Sequence, residues 1–455
     1  MYRSVPVVIY LVDSLRADRL GFYGYTERPT SPNLDELAKE SVVFEQAHAA
    51  APWTLPSVAS LITSVFPCEH QIYSGLNRIS SSFDTLPEVL RDLGYFTGGA
   101  YSNLWVGPNN GLADGYQHFI FTGGADQEHA PEVQNLLQEA GDKPFYFYLH
   151  SMEPHDTHAT LSEYIIELGH VPVDLRLQYK STHERYVKYK EADWEAHQPL
   201  GTTDNTALQK KAMAFFADNK ESLNLLYDAS VLRADSNLGD VVAELKKTGA
   251  WDESVFIFIS DHGEEIGDHG GWFHDQSVYE ELTRIPMLIH FPGNEFAGQR
   301  IIEPASLLDI MPTVLDYLGR SKLCQQCRGK SLMPIIDPRR TQIEGGAAVQ
   351  SLRTNIRTFY APMKRERGDM NVAVRDGRWK GIWNLELDSM EIYDLEADPG
   401  ELRNLADEHR ELVGSLTQQA TTWLKSCLSR ARPPDGPSPL DDETKARLRA
   451  MGYLN

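Results

Sequence analysis

Short apolar runs alternate with segments of helical periodicity along most of this chain. The runs that are apolar on both faces predict strands over Val5–Val12, Tyr95–Tyr101, Phe145–His150, Val255–Ser260 and Pro286–Phe291. The periodic segments predict helices over Leu34–Glu45, Pro56–Ser64, Leu86–Leu93, Leu223–Thr248 and Leu307–Leu318. Strands of this kind are typical of a parallel sheet covered by helices on each side. The alternation therefore predicts an α/β fold with a doubly wound, mostly parallel sheet flanked by helices.

Two stretches depart from this alternation and suggest how the chain is divided. Residues from about 156 to 225 are rich in Tyr, Lys, Glu and His, so we expect an insertion over the site that selects substrate. Short strand patterns over 371–376, 379–384 and 391–395 precede a helical pattern over 410–429. We predict a catalytic domain over residues 1–365, a small C-terminal antiparallel sheet with a helix over 366–430, and a linker and tail over 431–455.

Polar side chains stand where three of the predicted strands end. Asp13 follows the first strand, His150 ends the third, and Asp261 follows the fourth. In open α/β sheets, ligands bind at the carboxyl ends of strands, so these side chains are expected to converge. Each aspartate alone could instead be a helix cap or turn former. The sequence Asp261-His262-Gly263-Glu264 is the sharper signal, because a buried strand rarely ends in four polar or flexible residues.

A hydroxyl nucleophile is predicted at Thr54, just before Pro56 and Ser57, which suit a first helical turn with free N–H groups. A simple helix N-cap is the alternative for Thr54. We predict that Asp13, Asp261 and His262 hold a divalent ion and that Thr54 completes its shell. Such an ion would acidify the hydroxyl and neutralise the charge that develops on an anionic ester.

Carboxylate oxygens with one imidazole favour Mn²⁺ or Zn²⁺ and also suit Mg²⁺, whereas an all-oxygen shell would favour Ca²⁺. A second ion near His269 stays open. His155 and His274 are predicted to contact ester oxygens or protonate the leaving group, a contribution of roughly 10²–10⁴-fold. Arg16, Lys380 and His269 are candidates for substrate contact. Loop histidines bonded to backbone and solvated surface cations are the alternatives.

Charge and hydropathy restrict the partners of the protein. The 455 residues include 43 Lys plus Arg against 65 Asp plus Glu, which gives a formal net charge of −22. Such an acidic chain is not expected to bind nucleic acid, and a small anionic ester would need a local cation at the site. No apolar run reaches the roughly 20 residues that span a bilayer, and no signal peptide is visible. We therefore predict a cytoplasmic protein, with a removed leader as the alternative. The oligomeric state stays open.

The four cysteines are Cys68, Cys324, Cys327 and Cys427. So few cysteines in so long a chain do not predict a disulfide framework. The Cys324-x-x-Cys327 pair is interpreted as two thiols in a surface loop, with a redox pair or half of a zinc site as alternatives.

Together these segments resemble the sulfatase branch of the alkaline-phosphatase superfamily over most of the chain. Asp13 to Asp18 is similar to its opening metal motif, and Thr54 to Ser57, continuing to His70, is similar to its nucleophile motif. Further matching segments are 150–155, 227–235, 260–264, 267–274, 376–380 and 393–405. The resemblance implies an ester hydrolase with a bound metal ion and a small C-terminal sheet.

Four departures from the family pattern change the predicted substrate. The resemblance implies Cys or Ser, converted to formylglycine, where Thr54 stands, and Arg where Val58 stands. Ser14 replaces a common Asp ligand, and His262 replaces a common Asn. A threonine nucleophile with an Asp–His pair is more similar to phosphotransferases and phosphodiesterases of the superfamily. We therefore predict hydrolysis of phosphate or phosphonate esters, with diesters favoured. The alternatives are a sulfatase that lacks formylglycine and a binding protein with a dead site.

Overall fold

The computed structural model describes residues 4–73, 75, 77–123, 129–155, 162–195, 206–274, 277–337, 339, 357–360 and 370–435. The strands are β1 (Val7–Val12), β2 (Val42–Phe44), β3 (Ala47–His48), β4 (Phe96–Tyr101), β5 (His118–Phe121), β6 (Phe145–Ser151), β7 (Val255–Ser260), β8 (Glu265–Ile266), β9 (Trp272–Phe273), β10 (Arg284–Ile285), β11 (Met287–His290), β12 (Arg300–Ile301), β13 (Ala305–Ser306), β14 (Arg357–Tyr360), β15 (Asn371–Asp376), β16 (Trp379–Asn384) and β17 (Ser389–Asp394).

The α-helices are α1 (Pro32–Lys39), α2 (Thr54–Thr63), α3 (Pro67–His70), α4 (Leu86–Asp92), α5 (Ala130–Ala140), α6 (Ser162–Leu168), α7 (Val173–Glu195), α8 (Thr206–Asp218), α9 (Lys220–Thr248), α10 (Ala250–Glu253), α11 (Glu280–Thr283), α12 (Ile310–Tyr317), α13 (Met333–Ile336) and α14 (Arg410–Leu428). Within the described part of the chain, no helix combines the length and the apolar character that crossing a bilayer requires.

The central sheet has eight strands in the order β12-β2-β11-β7-β1-β6-β4-β5. Strand β11 runs antiparallel to both of its neighbours, and the other neighbouring pairs are parallel. The predicted doubly wound, mostly parallel sheet is therefore confirmed. The register pairs Val12 of β1 with Ser151 of β6 and with Ser260 of β7. Three strands consequently end at one level, and the residues that follow them share one edge of the sheet.

Alternation along β1 divides the buried side chains between the two faces of the sheet. Val7, Ile9 and Leu11 belong to one hydrophobic cluster. Val8 and Tyr10 belong to a second cluster. Since successive side chains of a strand point to opposite faces, one apolar run supplies both cores. Helices cover each face, and neither face of the strand is left to water.

One predicted helix is wrong in its second half. The helix expected over Leu34–Glu45 ends at Lys39, and Val42–Phe44 forms strand β2 instead. Strand β2 pairs with both β11 and β12. The β-branched Val42 and Val43 favour strand geometry, and pairing with distant strands decides the outcome.

A small four-stranded antiparallel sheet, β14-β15-β16-β17, follows the central sheet, as predicted for the C-terminal part. Helix α14 packs on this sheet through Leu416, Ala420 and Leu424, which join one hydrophobic cluster with Val372 and Ile392. Strand β14 was not predicted. The proposed boundary near residue 365 and the tail beyond residue 435 lie outside the described residues, so this division of domains stays a prediction.

All four cysteines form disulfides, so the expectation of free thiols is wrong. Cys68 of α3 is bonded to Cys427 of α14, and Cys324 is bonded to Cys327. The first pair is 359 residues apart in sequence, and only tertiary packing brings its Cα atoms to 5.9 Å. Disulfides are typical of oxidising compartments. The cytoplasmic location stays a prediction.

Candidate active site

The carboxyl ends of β1, β6 and β7 bring Asp13, His150 and Asp261 together, and all three side chains are buried. His150 Nε2 lies 3.1 Å from Asp13 Oδ2. The Asp261 Oδ1 atom accepts backbone N–H groups from Ser14 at 3.2 Å and His262 at 2.9 Å. These bonds fix the two aspartates side by side at the strand ends.

The chain turns sharply after Asp13, and helix α9 holds this turn. Ser14 has a φ of 58°, in the left-handed region that few side chains adopt. The Ser14 carbonyl accepts a hydrogen bond of 2.7 Å from the Tyr227 hydroxyl. The same hydroxyl accepts a hydrogen bond of 2.9 Å from the backbone N–H of Arg16. Strain of this kind persists where surrounding contacts fix the backbone, and here it aims Asp13 at Asp261.

Thr54 is the first residue of α2 and presents its hydroxyl to this pair of carboxylates. Thr54 Oγ1 donates to Asp13 Oδ2 at 3.2 Å and lies 3.4 Å from His262 Nε2. The N-cap position of α2 belongs to Trp53, whose side chain makes no capping bond. The Thr54 hydroxyl therefore faces polar side chains at the strand ends, and the N-cap alternative does not describe it.

The hydrogen bonds of His262 define which of its ring nitrogens carries a free lone pair. Nδ1 donates to the Gly263 carbonyl at 2.8 Å, which leaves the lone pair on Nε2. Nε2 lies 3.5 Å from Asp13 Oδ1 and 3.6 Å from Asp261 Oδ2. Burial lowers the pKa of His262, which favours the neutral ring that a metal ion requires.

Burial and proximity push the pKa values of the two aspartates apart. Burial raises the pKa of Asp13, but the hydrogen bond with His150 and the charges of nearby histidines outweigh it and hold that pKa well below the ordinary value. Burial and the negative charge of Asp13 raise the pKa of Asp261 well above the ordinary value. Like charges this close ionise together only when a cation lies between them.

The residues at the strand ends fit a divalent ion. The Asp261 Oδ2 atom is buried without a hydrogen-bond partner, a costly arrangement unless a cation is its partner. Asp13, His150 and Asp261 each offer one ligand atom, and these atoms lie within 4.8 Å of one another. His150 therefore adds a second imidazole to the predicted set of Asp13, Asp261 and His262. Two carboxylates with imidazole nitrogens suit a transition metal such as Mn²⁺ or Zn²⁺.

Two buried residues at this edge of the sheet are absent from the predicted ligand and catalytic sets. The sequence predicts that His150 converges with Asp13 and Asp261, but it assigns His150 no role as a ligand. Asn103, just after β4, donates from Nδ2 to Asp13 Oδ2 at 2.8 Å and to Thr54 Oγ1 at 3.3 Å. The strand-end rule that selected Asp13, His150 and Asp261 extends to Asn103, which also follows a buried strand.

The structure brings the predicted histidines His155 and His274 next to the strand ends. Their rings lie 4.9 Å apart, and the ring of His274 lies 4.6 Å from that of His262. His274 Nδ1 lies 3.2 Å from the Glu264 carboxylate, which fixes the orientation of the ring. These two imidazoles therefore border the metal-ligand group through the ring of His262.

Arg16, Lys380 and His269 all bond to other residues of the protein. Arg16 is buried and pairs with Asp18 at 2.8 Å and with Asp268 at 2.7 Å. Lys380 is also buried, and its Nζ atom lies 2.9 Å from carboxylates of both Glu280 and Glu401. Both cations are paired with carboxylates of the protein, and their contact with a substrate stays a prediction.

His269 uses both ring nitrogens within the protein. Nδ1 contacts Glu281 Oε1 at 2.5 Å, and Nε2 contacts the Glu401 carbonyl at 3.1 Å. Burial lowers the pKa of His269, but these contacts outweigh it and raise that pKa to about 9. Glu265, His269 and Glu281 lie close enough for a second ion. A protonated ring bonded in this way makes a poor metal ligand.

The position where the family pattern has arginine belongs to the hydrophobic core. Val58 is 1% exposed and packs within the cluster that contains β1 side chains. One position earlier, Ser57 Oγ donates to the Asp261 carbonyl at 2.7 Å and ties α2 to the end of β7. The helix that carries Thr54 is therefore anchored to the strand that carries Asp261.

Comparisons with known proteins agree with this geometry. The family model described as Sulfatase matches residues 6–320, and a second, described as N-sulphoglucosamine sulphohydrolase, C-terminal, matches residues 267–426. The choline-sulfatase of Rhizobium meliloti (strain 1021) is 26% identical, over 91% of this chain and 85% of that protein. The multifunctional alkaline phosphatase superfamily protein PehA of Trinickia caryophylli is 24% identical, over 93% of this chain and 96% of that protein.

Among solved structures, the phosphonate monoester hydrolase of Agrobacterium radiobacter superposes with a TM-score of 0.64 at 18% identity, over 93% of this chain and 95% of that one. This likeness establishes a shared fold. The Sulfatase model alone covers more than half of the residues. The chain belongs to the sulfatase family and is an ester hydrolase.

Proposed function

We propose that this protein is a metal-dependent hydrolase of phosphate or phosphonate esters, with diesters favoured, and that Thr54 is its nucleophile. One observation carries the proposal: Thr54 Oγ1 lies 3.2 Å from Asp13 Oδ2 and 3.4 Å from His262 Nε2 within a buried group of potential metal ligands. The substrate choice is supported by the residue type, because threonine is not converted to formylglycine by the route used for Cys or Ser. The likeness to a phosphonate monoester hydrolase is compatible with it.

Asp13, Asp261 and His262 would hold the ion, with His150 close enough to join them. When bound, the ion lowers the pKa of a hydroxyl and offsets the negative charge of the ester. The chain itself arranges the donors. Asn103 Nδ2 lies 3.3 Å from Thr54 Oγ1, where its N–H group stabilises an oxygen that is losing its proton.

Thr54 Oγ1 attacks phosphorus, so that an O–P bond forms as the bond from phosphorus to the leaving oxygen breaks. With the ion bound, the hydroxyl proton passes to water, and the leaving oxygen gains a proton from His274 or His155. Glu264 holds Nδ1 of His274 and fixes the ring for this transfer. Water then cleaves the phosphothreonine and restores the hydroxyl.

The direct test is Thr54→Ala, assayed with a chromogenic phosphodiester in the presence of Mn²⁺ or Zn²⁺. We expect turnover to fall by at least about 10³-fold, because the nucleophile itself is removed. Thr63→Ala is the matched control: it removes a buried hydroxyl of the same helix, bonded to the Ala59 carbonyl and outside the site. Near wild-type turnover in Thr54→Ala, with metal bound, contradicts the proposal.

A sulfatase that lacks formylglycine is the second candidate, and the choline-sulfatase relative favours it. Both candidates use the same residues and differ only in the ester. Rates on matched aryl sulfate, aryl phosphate and aryl phosphonate esters separate them. A kcat/KM for the sulfate ester above those for the phosphorus esters would replace the first candidate by the second.

A ligand-binding protein without catalysis is the remaining alternative. The retention of two carboxylates, two imidazoles and the threonine hydroxyl in one buried group argues against this alternative. Metal content decides it: we expect about one divalent ion per chain by mass spectrometry after reconstitution. A chain that binds no divalent ion would favour the non-catalytic alternative.

A further inference from the structure

The disulfide between Cys324 and Cys327 closes a surface loop that has no part in the chemistry described so far. Both of its cysteines are partly exposed, whereas Cys68 and Cys427 of the other disulfide are buried. Closing so short a loop restricts the unfolded chain much less than the closure across 359 residues. Exposed disulfides are also the ones that exchange most readily with thiols. Exposure and a short loop together favour a reactive bond over a purely structural one.

The loop that this disulfide closes caps the C-terminal end of α2. Gln326 Nε2 donates to the Thr63 carbonyl at 3.0 Å, and the Arg328 backbone N–H donates to the Ser64 carbonyl at 2.6 Å. Carbonyl groups in the last turn of a helix have no partner within the helix, so these bonds satisfy them from outside. Because α2 begins at Thr54, the loop holds the far end of the helix that carries the proposed nucleophile.

Gly329 fixes how closely the loop approaches this helix end. Its backbone N–H donates to Ser64 Oγ at 3.1 Å, and Ser64 Oγ donates to the Leu308 carbonyl at 2.6 Å. A Cβ atom at position 329 would collide with the Leu308 carbonyl oxygen, so only glycine allows the two backbones to pass. A change in the conformation of the loop therefore breaks contacts at the end of α2.

A buried carboxylate connects the same loop to the segment after α2. Glu69 is 1% exposed, and both of its carboxylate oxygens lie 2.8 Å from Arg328 Nε. Arg430, just after α14, pairs with the Glu69 carboxylate at 2.8 Å. Displacement of Arg328 would take a cation away from a buried charge, which is unfavourable. The position of the loop is thus coupled to α2, to Glu69 and to the end of α14.

We propose that the bond between Cys324 and Cys327 is a site of thiol–disulfide exchange with dithiol reductants, and that its redox state sets the rigidity of α2. A reductant thiolate attacks one sulfur of the pair, and a mixed disulfide forms as the bond between the cysteines breaks. The second reductant thiolate then displaces the protein sulfur, so that the reductant leaves as a disulfide and both cysteines become thiols. The open loop holds Gln326 and Arg328 less firmly, and α2 loses part of its cap.

Alkylation of the native full chain tests the exchange itself. After brief treatment with dithiothreitol and then iodoacetamide, mass spectrometry is expected to find Cys324 and Cys327 modified. Cys68 and Cys427 are expected to stay bonded because both are buried. Absence of modification at Cys324 and Cys327, or equal modification of all four cysteines, overturns the proposal.

Hydrogen exchange of α2 measures the cap without an activity assay. Reduction is expected to make the amides of residues 60–64 exchange at least about 3-fold faster, the scale of one weakened hydrogen bond. The double variant Cys324→Ser/Cys327→Ser should show this faster exchange without reductant, and so should Gln326→Ala, which removes one bond of the cap. Gln325→Ala, at an exposed position of the same loop, is the matched control and should exchange as the wild type. Unchanged exchange in both the reduced wild type and the double variant overturns the proposal.

Turnover of the chromogenic phosphodiester tests the consequence for catalysis, which rests on the ester hydrolysis proposed above. The reduced wild type, freed of dithiothreitol before metal is added, is expected to lose kcat at least about 3-fold, because α2 positions Thr54 less well. Reoxidation with diamide should restore kcat. The double variant cannot form the bond between positions 324 and 327, so neither reagent should change its kcat.

The outcomes distinguish this inference from the proposed function. A chain that hydrolyses no phosphorus ester contradicts the proposed function, while alkylation and hydrogen exchange still decide the assignment of the disulfide. Unchanged kcat in the reduced enzyme, together with unchanged exchange of α2, overturns the inference and leaves the proposed function standing.

Discussion

Thr54 Oγ1 lies 3.2 Å from Asp13 Oδ2, although 41 positions separate the two residues in sequence. Asn103 connects them, because its Nδ2 atom donates to Asp13 Oδ2 at 2.8 Å and to Thr54 Oγ1 at 3.3 Å. The side-chain amide of Asn103, just after β4, therefore links the end of β1 to the start of α2. This small network orients the hydroxyl and the carboxylate before any ligand binds.

Replacement of Asn103 tests this network. Asn103→Ala is expected to lower kcat by roughly 10²-fold, because an amide donor to a developing negative charge contributes on that scale. The Oδ1 atom of Asn103 also caps a 3-10 helix by accepting the Trp105 N–H. Asn103→Asp keeps this cap but sets a second carboxylate beside Asp13, so the free energy of unfolding of both variants is measured alongside kcat. Wild-type kcat in both variants would remove Asn103 from the mechanism.

Lys380→Met tests whether this lysine serves the substrate or the fold. Lys380 is 2% exposed and pairs with Glu280 and Glu401, so its removal takes a cation away from the buried Glu401 and the partly buried Glu280. We expect the free energy of unfolding to fall by about 3–5 kcal/mol, with KM unchanged. Lys246→Met, at a half-exposed surface pair with Glu40, is the control and should cost below about 1 kcal/mol. A raised KM without loss of stability would restore the substrate role.

His70 is expected to make the protein sensitive to acid. Burial lowers the pKa of His70 to about 3, below its ordinary value near 6.5, and Nδ1 accepts the Ile72 N–H. Because the folded pKa is depressed, the stabilisation is complete above pH ~6.5 and is lost as pH falls towards ~3, by about 1.4 kcal/mol per pH unit.

Thermal or urea unfolding between pH 7.5 and pH 5 measures this dependence. His70→Gln cannot titrate, so its stability should fall less steeply with acid than that of the wild type. Parallel curves for His70→Gln and the wild type would show that His70 does not set the acid limit.

The disulfide between Cys68 and Cys427 is expected to stabilise the attachment of α14. It closes a loop of 359 residues, whereas Cys324 and Cys327 are three residues apart. Because stabilisation increases with loop length, Cys427→Ser should lower the free energy of unfolding by about 2–4 kcal/mol, and Cys327→Ser by less. Denaturant unfolding with and without dithiothreitol checks this order. A larger loss in Cys327→Ser would contradict it.

Local sequence patterns were sufficient to predict the strands that end at the candidate active site. The apolar run of Val255–Ser260 and the polar residues after it predicted both β7 and the place of Asp261. The helix predicted over Leu34–Glu45 is wrong in its second half because contacts distant in sequence decide the structure there. Its C-terminal part lies between β11 and β12, and no local signal reports such distant partners.

By itself, the sequence determined the fold class and the edge of the sheet where polar side chains collect. Periodicity, strand-terminal polarity and charge act over a few neighbouring residues, and a sequence displays them directly. Only the tertiary structure decided that Asn103 joins Asp13 and Thr54, that Lys380 is buried between two glutamates, and that Cys68 meets Cys427. These outcomes depend on distances between residues far apart in the chain, and packing alone sets such distances.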